Sequence, residues 1–258
     1  MPRLVTAAKK SGPGSLLIAA ALFSIVVLFT MSGCAVTGKK IPEQPSADTL
    51  SNRAMKAYNH GRYLTALQLF KKIRNRFPFS KYGLKAKLRE ADCHYYEGHY
   101  GQAISTYQEF AQDHPSHKAM PYVLFQIGMS YARQMDTVDR DPRAAEMAED
   151  AFKNLVNRYP DSPYITEARK QIKKARNFLA RHELYVANYY IKTSKYEQAE
   201  SRLEYLATHY QDSEAAPEAE KVLAALKAGN PPRGNWLDWI PRIGLPDSSI
   251  FDSLSPGM

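Results

Sequence analysis

From about position 48 onward, apolar residues recur at spacings of three and four with polar residues between them, the period of a helix that buries one stripe. Ile165, Ala168, Ile172, Ala175 and Leu179 form one such seam, and Leu84, Leu88, Ala91 and Tyr95 form another. These are helix seams rather than strands. The pattern predicts helices near 48–60, 63–76, 81–97, 100–113, 118–136, 143–158, 163–193, 196–209 and 214–228, which is four helix pairs and one closing helix.

A ruler runs through the pairs. Gly61-Arg62-Tyr63 leads to Ala66 and Phe70, Gly98-His99-Tyr100 to Ala103 and Tyr107, and Lys195-Tyr196 to Ala199 and Leu203, while a less clear copy has Ala148 and Phe152. Twelve residues after each Ala comes Pro78, Pro115, Pro160 and finally Gln211. A small residue lets two helices approach, an aromatic ring one turn later fills the groove beside it, and the residue before Pro ends the helix. Successive Ala anchors are 37, 45 and 51 residues apart, more than the roughly 34 of a standard tetratricopeptide repeat, so the excess falls in longer first helices or loops. The expected fold is all-α, a right-handed solenoid of tetratricopeptide-like helix pairs. Tyr63, Tyr100 and Tyr196 recur with the repeat and are read as core residues. In the adjacent pairs Tyr95-Tyr96 and Tyr189-Tyr190, one ring is expected to pack and the other to reach the surface.

Composition supports a helical body. Of 258 residues, 44% are hydrophobic, which excludes wholesale disorder, and between Ala119 and Ala228 there is a single Gly, Gly128. The last 30 residues hold five Pro and four Gly together with Trp236 and Trp239, so residues 229–258 form a tail, either a plain extension or a short aromatic docking motif.

The first residues read as an address. Arg3, Lys9 and Lys10 precede an apolar run from Leu16 to Met31, and Ser32 and Gly33 lead to Cys34. As a helix, that run reaches about 24 Å, short of a hydrocarbon core of roughly 30 Å, so a cleaved leader fits better than a membrane span. Met31-Ser32-Gly33-Cys34 resembles the lipobox of bacterial lipoproteins, with Met where Leu is usual. The resemblance implies cleavage before Cys34 and a diacylglyceryl and N-acyl lipid on that residue, and Ala35 implies export to the outer membrane. The expected organisation is a leader over 1–33, an acylated Cys and tether over 34–47, a repeat domain over 48–228 and the tail. Cys34 and Cys93 are the two cysteines, which excludes a disulfide framework and leaves Cys93 as a thiol expected to be buried.

Charge sharpens the picture. The formal net charge is +9, and three of these units belong to the leader. Thr49 to Arg89 holds 11 Lys and Arg with no acid, and Ala168 to His182 holds six more, so everything else sums to −11. Two basic surfaces on an acidic-leaning scaffold call for anionic partners: anionic lipid, an acidic protein face, or the terminal carboxylate of an extended peptide. Nucleic acid is excluded by an exported location. No catalytic or metal constellation is present in the sequence: His182-Glu183 begins a zinc-protease pattern, but residue 186 is Val where the second His is required.

Tyr159-Pro160-Asp161-Ser162, Ala175-Arg176, His182-Glu183-Leu184-Tyr185-Val186-Ala187, Tyr189-Tyr190 and Ser201-Arg202-Leu203 resemble the BamD family, the D subunit of the β-barrel assembly machinery. Phe77-Pro78-Phe79 with Tyr82, and Asp139-Arg140-Asp141, add to the resemblance, which runs from the leader to about Ala228. It implies a non-enzymatic, cofactor-free lipoprotein on the periplasmic face of the outer membrane. Its partners would be the barrel-forming subunit BamA, other assembly lipoproteins and unfolded outer-membrane proteins. Arg202 matches the family Arg that pairs with an acidic residue of BamA. Lys71, Lys72, Lys85 and Arg89, in the repeats associated with client recognition, are the candidate client-binding cations. The rival is another periplasmic repeat lipoprotein, a scaffold for cell-wall enzymes or for the Tol-Pal system.

Overall fold

The computed structural model describes residues 44–232; the leader, Cys34, most of the tether and the Trp236/Trp239 tail lie outside the described residues. Nine helices occur among the described residues: α1 (Ala47–Asn59), α2 (Tyr63–Arg76), α3 (Gly83–Tyr96), α4 (Tyr100–Asp113), α5 (Met120–Ala132), α6 (Arg143–Arg158), α7 (Ile165–Lys192), α8 (Tyr196–His209) and α9 (Ala216–Lys227). They match the periodicity to within about two residues except at the end of α5, which stops four residues early. There the Arg133 N–H bonds to the Met129 carbonyl and the Gln134 side chain bonds to the Ser130 carbonyl, closing the last turn.

Each helix packs chiefly on its neighbours in sequence, α1 on α2 and so on through α9, as in a one-dimensional repeat array. The pairing is antiparallel. Between α3 and α4, Asp92 meets Tyr107 and Lys87 meets Asp113; between α7 and α8, Glu183 meets Arg202, and Arg176 meets Asp212 just past the end of α8. As the residue number falls along one helix, its partner's number rises along the next.

The ruler has a structural counterpart at every step. Ala66, Ala103, Ala148 and Ala199 are all buried without exposure, and Phe70, Tyr107, Phe152 and Leu203 fill the space one turn later. Phe77, His114, Tyr159 and Tyr210 then end the second helices, each donating its N–H to the carbonyl four residues back. The next helices begin after two linked turns of the same form, such as Ser80 N–H to Phe77 O and Gly83 N–H to Ser80 O. The long anchor spacings have two sources: ten residues, 133–142, between α5 and α6, and the 28 residues of α7.

Inside a pair, the turn needs one left-handed residue. Gly61 and Gly98 occupy it at φ +69° and +76°, and Ser194 takes the same place at φ 57°. Each is followed by an N–H that reaches back five residues, Arg62 to Ala57 O, His99 to His94 O and Lys195 to Tyr190 O, satisfying carbonyls at the helix end. Ser194 therefore carries a steric penalty that Gly lacks. Ser194→Gly is expected to raise the unfolding free energy by about 0.5 kcal/mol, the steric gain being partly offset by the freer unfolded chain; urea melts of the two proteins measure it.

Gly128 has a different role. A Cβ there would lie 2.7 to 2.8 Å from the ring of Phe152, so a side-chain-free residue on α5 is what allows α6 to seat its aromatic anchor.

Cys93 is buried on α3, and burial pushes its thiol up to about 12, which keeps it protonated and unreactive. Tyr95 and Tyr190 pack while Tyr96 and Tyr189 are exposed. The reading of Tyr63, Tyr100 and Tyr196 as core residues holds at Tyr63, which packs against the core of the first pair, and is corrected at Tyr196, which is exposed. They open α2, α4 and α8 at the edge of the array, where Tyr63 and Tyr100 are half-buried and Tyr196 is exposed. Tyr63 also stacks on Tyr96 of the next pair, with ring centroids 4.7 Å apart.

The least expected part of the core is charged. Asp92 on α3 is 1% exposed and accepts hydrogen bonds from Tyr107 Oη of α4 (2.5 Å), Tyr122 Oη of α5 (2.6 Å) and Arg89 (2.6 Å). The Arg89 guanidinium also lies over the Tyr58 ring of α1, 5.2 Å from its centroid. One carboxylate thus links four helices.

Candidate partner-binding site

The acid-free stretch of Thr49 to Arg89 is less open than its composition suggests. Lys71 and Arg74 lie 3.9 and 3.5 Å from Glu90, Lys87 bonds Glu109 and Asp113 at 2.9 and 2.6 Å, and Arg89 bonds Asp92. The neutralising acids come from α3 and α4, just beyond the acid-free window, so a charge count along the chain misses them. Of the four candidate client-binding cations, Lys71 and Arg89 are engaged in these pairs. Lys72 and Lys85 are exposed and make no ion pair among the described residues. Glu90 is almost fully buried, and its carboxyl is pushed up by burial, against the pull of Arg74 and Lys71.

The second basic stretch is divided in the same way. Arg176 of α7 donates to Asp212 at 2.5 to 3.1 Å, to Glu149 of α6 at 3.1 Å and to the His209 carbonyl at 2.7 Å, and lies over the Tyr210 ring. It is a clamp, not a docking charge. Arg181 pairs with Glu214 and Lys170 with Glu167, leaving Arg169, Lys173 and Lys174 exposed. His182, the start of the abandoned zinc pattern, bonds the Val138 carbonyl at 2.6 Å and fastens the 133–142 loop to α7.

Arg202 is the candidate for the barrel-subunit contact, paired but still half exposed. On α8 its side chain is 46% exposed and bonds Glu183 of α7, itself 13% exposed, through one terminal nitrogen at 3.1 and 3.5 Å. A guanidinium carries five donors in a fixed plane, so this contact orients it and leaves other donors for a second carboxylate. It borders an open depression of about 380 Å3 with Tyr190, Glu197, Gln198 and Ser201, and Tyr205, exposed, stands three residues further along α8. An oriented Arg beside the half-buried Tyr190 and the exposed Tyr205 is the composition of a protein-binding hot spot. A second depression of about 490 Å3 lies along α4, α5 and α6, with Leu124, Ile127 and Met147 in its lining. Sequence reasoning identified Arg202 but not Glu183 as its orienting partner; their spacing of 19 residues carries no helical signature, only the hairpin register of α7 on α8.

No helix among the described residues is long and apolar enough to cross a membrane. The family described as "Outer membrane lipoprotein", YfiO, matches residues 43–230. The outer membrane protein assembly factor BamD of Vibrio cholerae is 28% identical over 211 residues, covering 78% of this chain and 87% of that protein. Its counterpart in Neisseria meningitidis serogroup A is 29% identical over 227 residues, covering 81% and 85%. Among solved structures, a tetratricopeptide repeat protein from Parabacteroides merdae aligns at 13% identity and a TM-score of 0.38, over 81% of this chain and 80% of that one.

Proposed function

Since the chain belongs to the YfiO family of outer membrane lipoproteins, we propose that it is a lipid-anchored scaffold subunit of the machinery that assembles β-barrel proteins into the outer membrane. It acts through binding and proximity rather than catalysis. The acyl chains on Cys34 hold it at the periplasmic face, the C-terminal pair α7/α8 docks on the barrel-forming subunit BamA, and the N-terminal pairs meet unfolded clients. The observation that carries this reading is the exposed Arg202, held by Glu183 beside Tyr190 with donors to spare.

Arg202→Glu places like charge opposite Glu183 and opposite an acidic partner surface. Breaking such a charged contact costs a complex about 2 kcal/mol or more, roughly a 30-fold loss of affinity. Recovery of the barrel-forming subunit with the tagged variant is therefore expected to fall sharply, while its far-UV circular dichroism stays that of the wild type, because residue 202 is half exposed on α8 and the introduced carboxylate can turn to solvent away from Glu183. Unchanged recovery would remove Arg202 from the interface.

On the client side the open cations Lys72 and Lys85 supply attraction for a terminal carboxylate, and Leu124 and Ile127 offer an apolar floor. Reversing both lysines to Glu is expected to reduce photo-crosslinking of a client's C-terminal peptide several-fold at low salt, with a smaller difference at high salt. Equal crosslinking at low salt would count against the assignment.

A further inference from the structure

The loop 77–82 between α2 and α3 is used by neither the Arg202 surface nor the buried networks. Phe79, near its middle, is fully exposed, more so than the other large apolar side chains exposed among the described residues. Tyr82, three residues on, turns inward and donates its hydroxyl to Asp48 Oδ1 at 2.5 Å. Asp48 lies in the first turn of α1, so the bond fixes the loop beside the point where the chain enters the array.

Position in the chain then matters. Ala47 is 13 residues from Cys34, a span of at most about 45 Å fully extended. A lone exposed Phe is unremarkable on a soluble surface. The residues near this one along the chain are basic: Lys81 on the loop, with its ammonium 5.1 Å from the Tyr82 ring centroid, Arg76 over Phe77, and the exposed Lys72 and Lys85 on the flanking helices. The acid beside it, Asp48, is occupied by Tyr82 and Asn52. An apolar side chain that protrudes among basic residues, on a loop bonded to the first turn of α1, has the chemistry of a membrane-surface contact.

We propose that the 77–82 loop is a membrane-docking edge, in which Phe79 enters the headgroup and acyl boundary of the bilayer and Lys81 faces anionic phospholipid. The proposal rests on acylation of Cys34. The contact is too small to recruit the protein unaided, but the tether keeps the bilayer at high local concentration, so it suffices to choose which edge of the array faces lipid. Docking in this way would set the height and orientation of the N-terminal pairs over the membrane into which clients insert.

The test uses the full chain in cells, with a benzoylphenylalanine photo-crosslinker at Phe79 or, as a control, at the exposed Met147 of α6. Isolated outer membranes are irradiated and the adducts identified by mass spectrometry, with a palmitate analogue reporting acylation in the same samples. Phospholipid adducts at position 79 are expected at ten or more times the yield at 147, falling at least threefold with Lys81→Glu. Acylated protein whose position 79 gives lipid adducts no more often than 147, or gives protein adducts alone, would overturn the docking edge. Absence of the palmitate label would overturn the anchor, and the docking edge with it, by a distinct signal.

Discussion

Asp92→Ala is expected to lower the unfolding free energy by about 3–5 kcal/mol, the range for removing one partner of a buried ion pair. The size follows from what is left behind. Arg89 keeps its charge over the Tyr58 ring but loses its counter-ion, and the hydroxyls of Tyr107 and Tyr122 lose their acceptor inside the core. Burial first, and then the Asp92 carboxylate, push both phenols upward, so they stay protonated and need an acceptor across the physiological range. Asp92→Asn, which keeps an acceptor oxygen but not the charge, should fall between. Adding Arg89→Met to Asp92→Ala should restore part of the loss, because the stranded cation goes too. Urea unfolding followed by circular dichroism measures all three. At the size of this array the single Ala variant corresponds to a melting temperature lower by about 10 °C. A loss below about 1 kcal/mol would mean that the network adds nothing beyond packing.

The second large effect is expected at Arg176. Arg176→Ala removes contacts to Asp212, Glu149 and the His209 carbonyl and uncovers the Tyr210 ring, which together tie α6 and α7 to the turn between α8 and α9. A loss of about 2–3 kcal/mol is expected, less than at Asp92 for two reasons. Glu149 keeps Lys153 at 2.7 Å, and Asp212 is more than half exposed, so neither carboxylate is stranded. Arg176→Lys should recover only part, since an ammonium cannot hold three acceptors in one plane.

The clamp also predicts a pH signature. Hydrogen bonding to Arg176 holds the Asp212 carboxyl below its usual range. A depressed carboxylate contributes stability above its unfolded value, about 3.9, and loses it as pH falls through the lower folded value. The difference between wild type and Arg176→Ala should thus be full at pH 6 and shrink below about pH 4. A constant difference across that range would assign the effect to packing alone.

The architecture was legible because it repeats. Ala66, Ala103, Ala148 and Ala199 mark the same packing position in successive pairs, and Pro78, Pro115 and Pro160 mark the same exit, so each copy supports the others. Arg202 was found through family likeness to the residues around it. Asp92 had no such signal, and Glu183, although inside the 182–187 segment that carries the likeness, had none that tied it to Arg202. Each is one acid in a helix, and its significance comes from side chains 15 to 30 residues away that only the hairpin register brings close. The basic stretches misled for the same reason: Lys71, Arg74, Lys87 and Arg89 look unopposed along the chain and are opposed across the helix pairs. Tyr196 misled differently, because recurrence marks a shared position and not equal burial there: Tyr63 packs on the core, Tyr100 is half-buried and Tyr196 is exposed.

In the proposed function, the C-terminal pair docks a lipid-anchored scaffold on the barrel-forming subunit. The most direct test of that docking is affinity purification of the tagged full chain from detergent-solubilised outer membranes, with partners identified by mass spectrometry in wild type and Arg202→Glu. The barrel-forming subunit is expected to be recovered with the wild type and depleted with the variant. Recovery of cell-wall enzymes or Tol-Pal components without any barrel-forming subunit would contradict the docking.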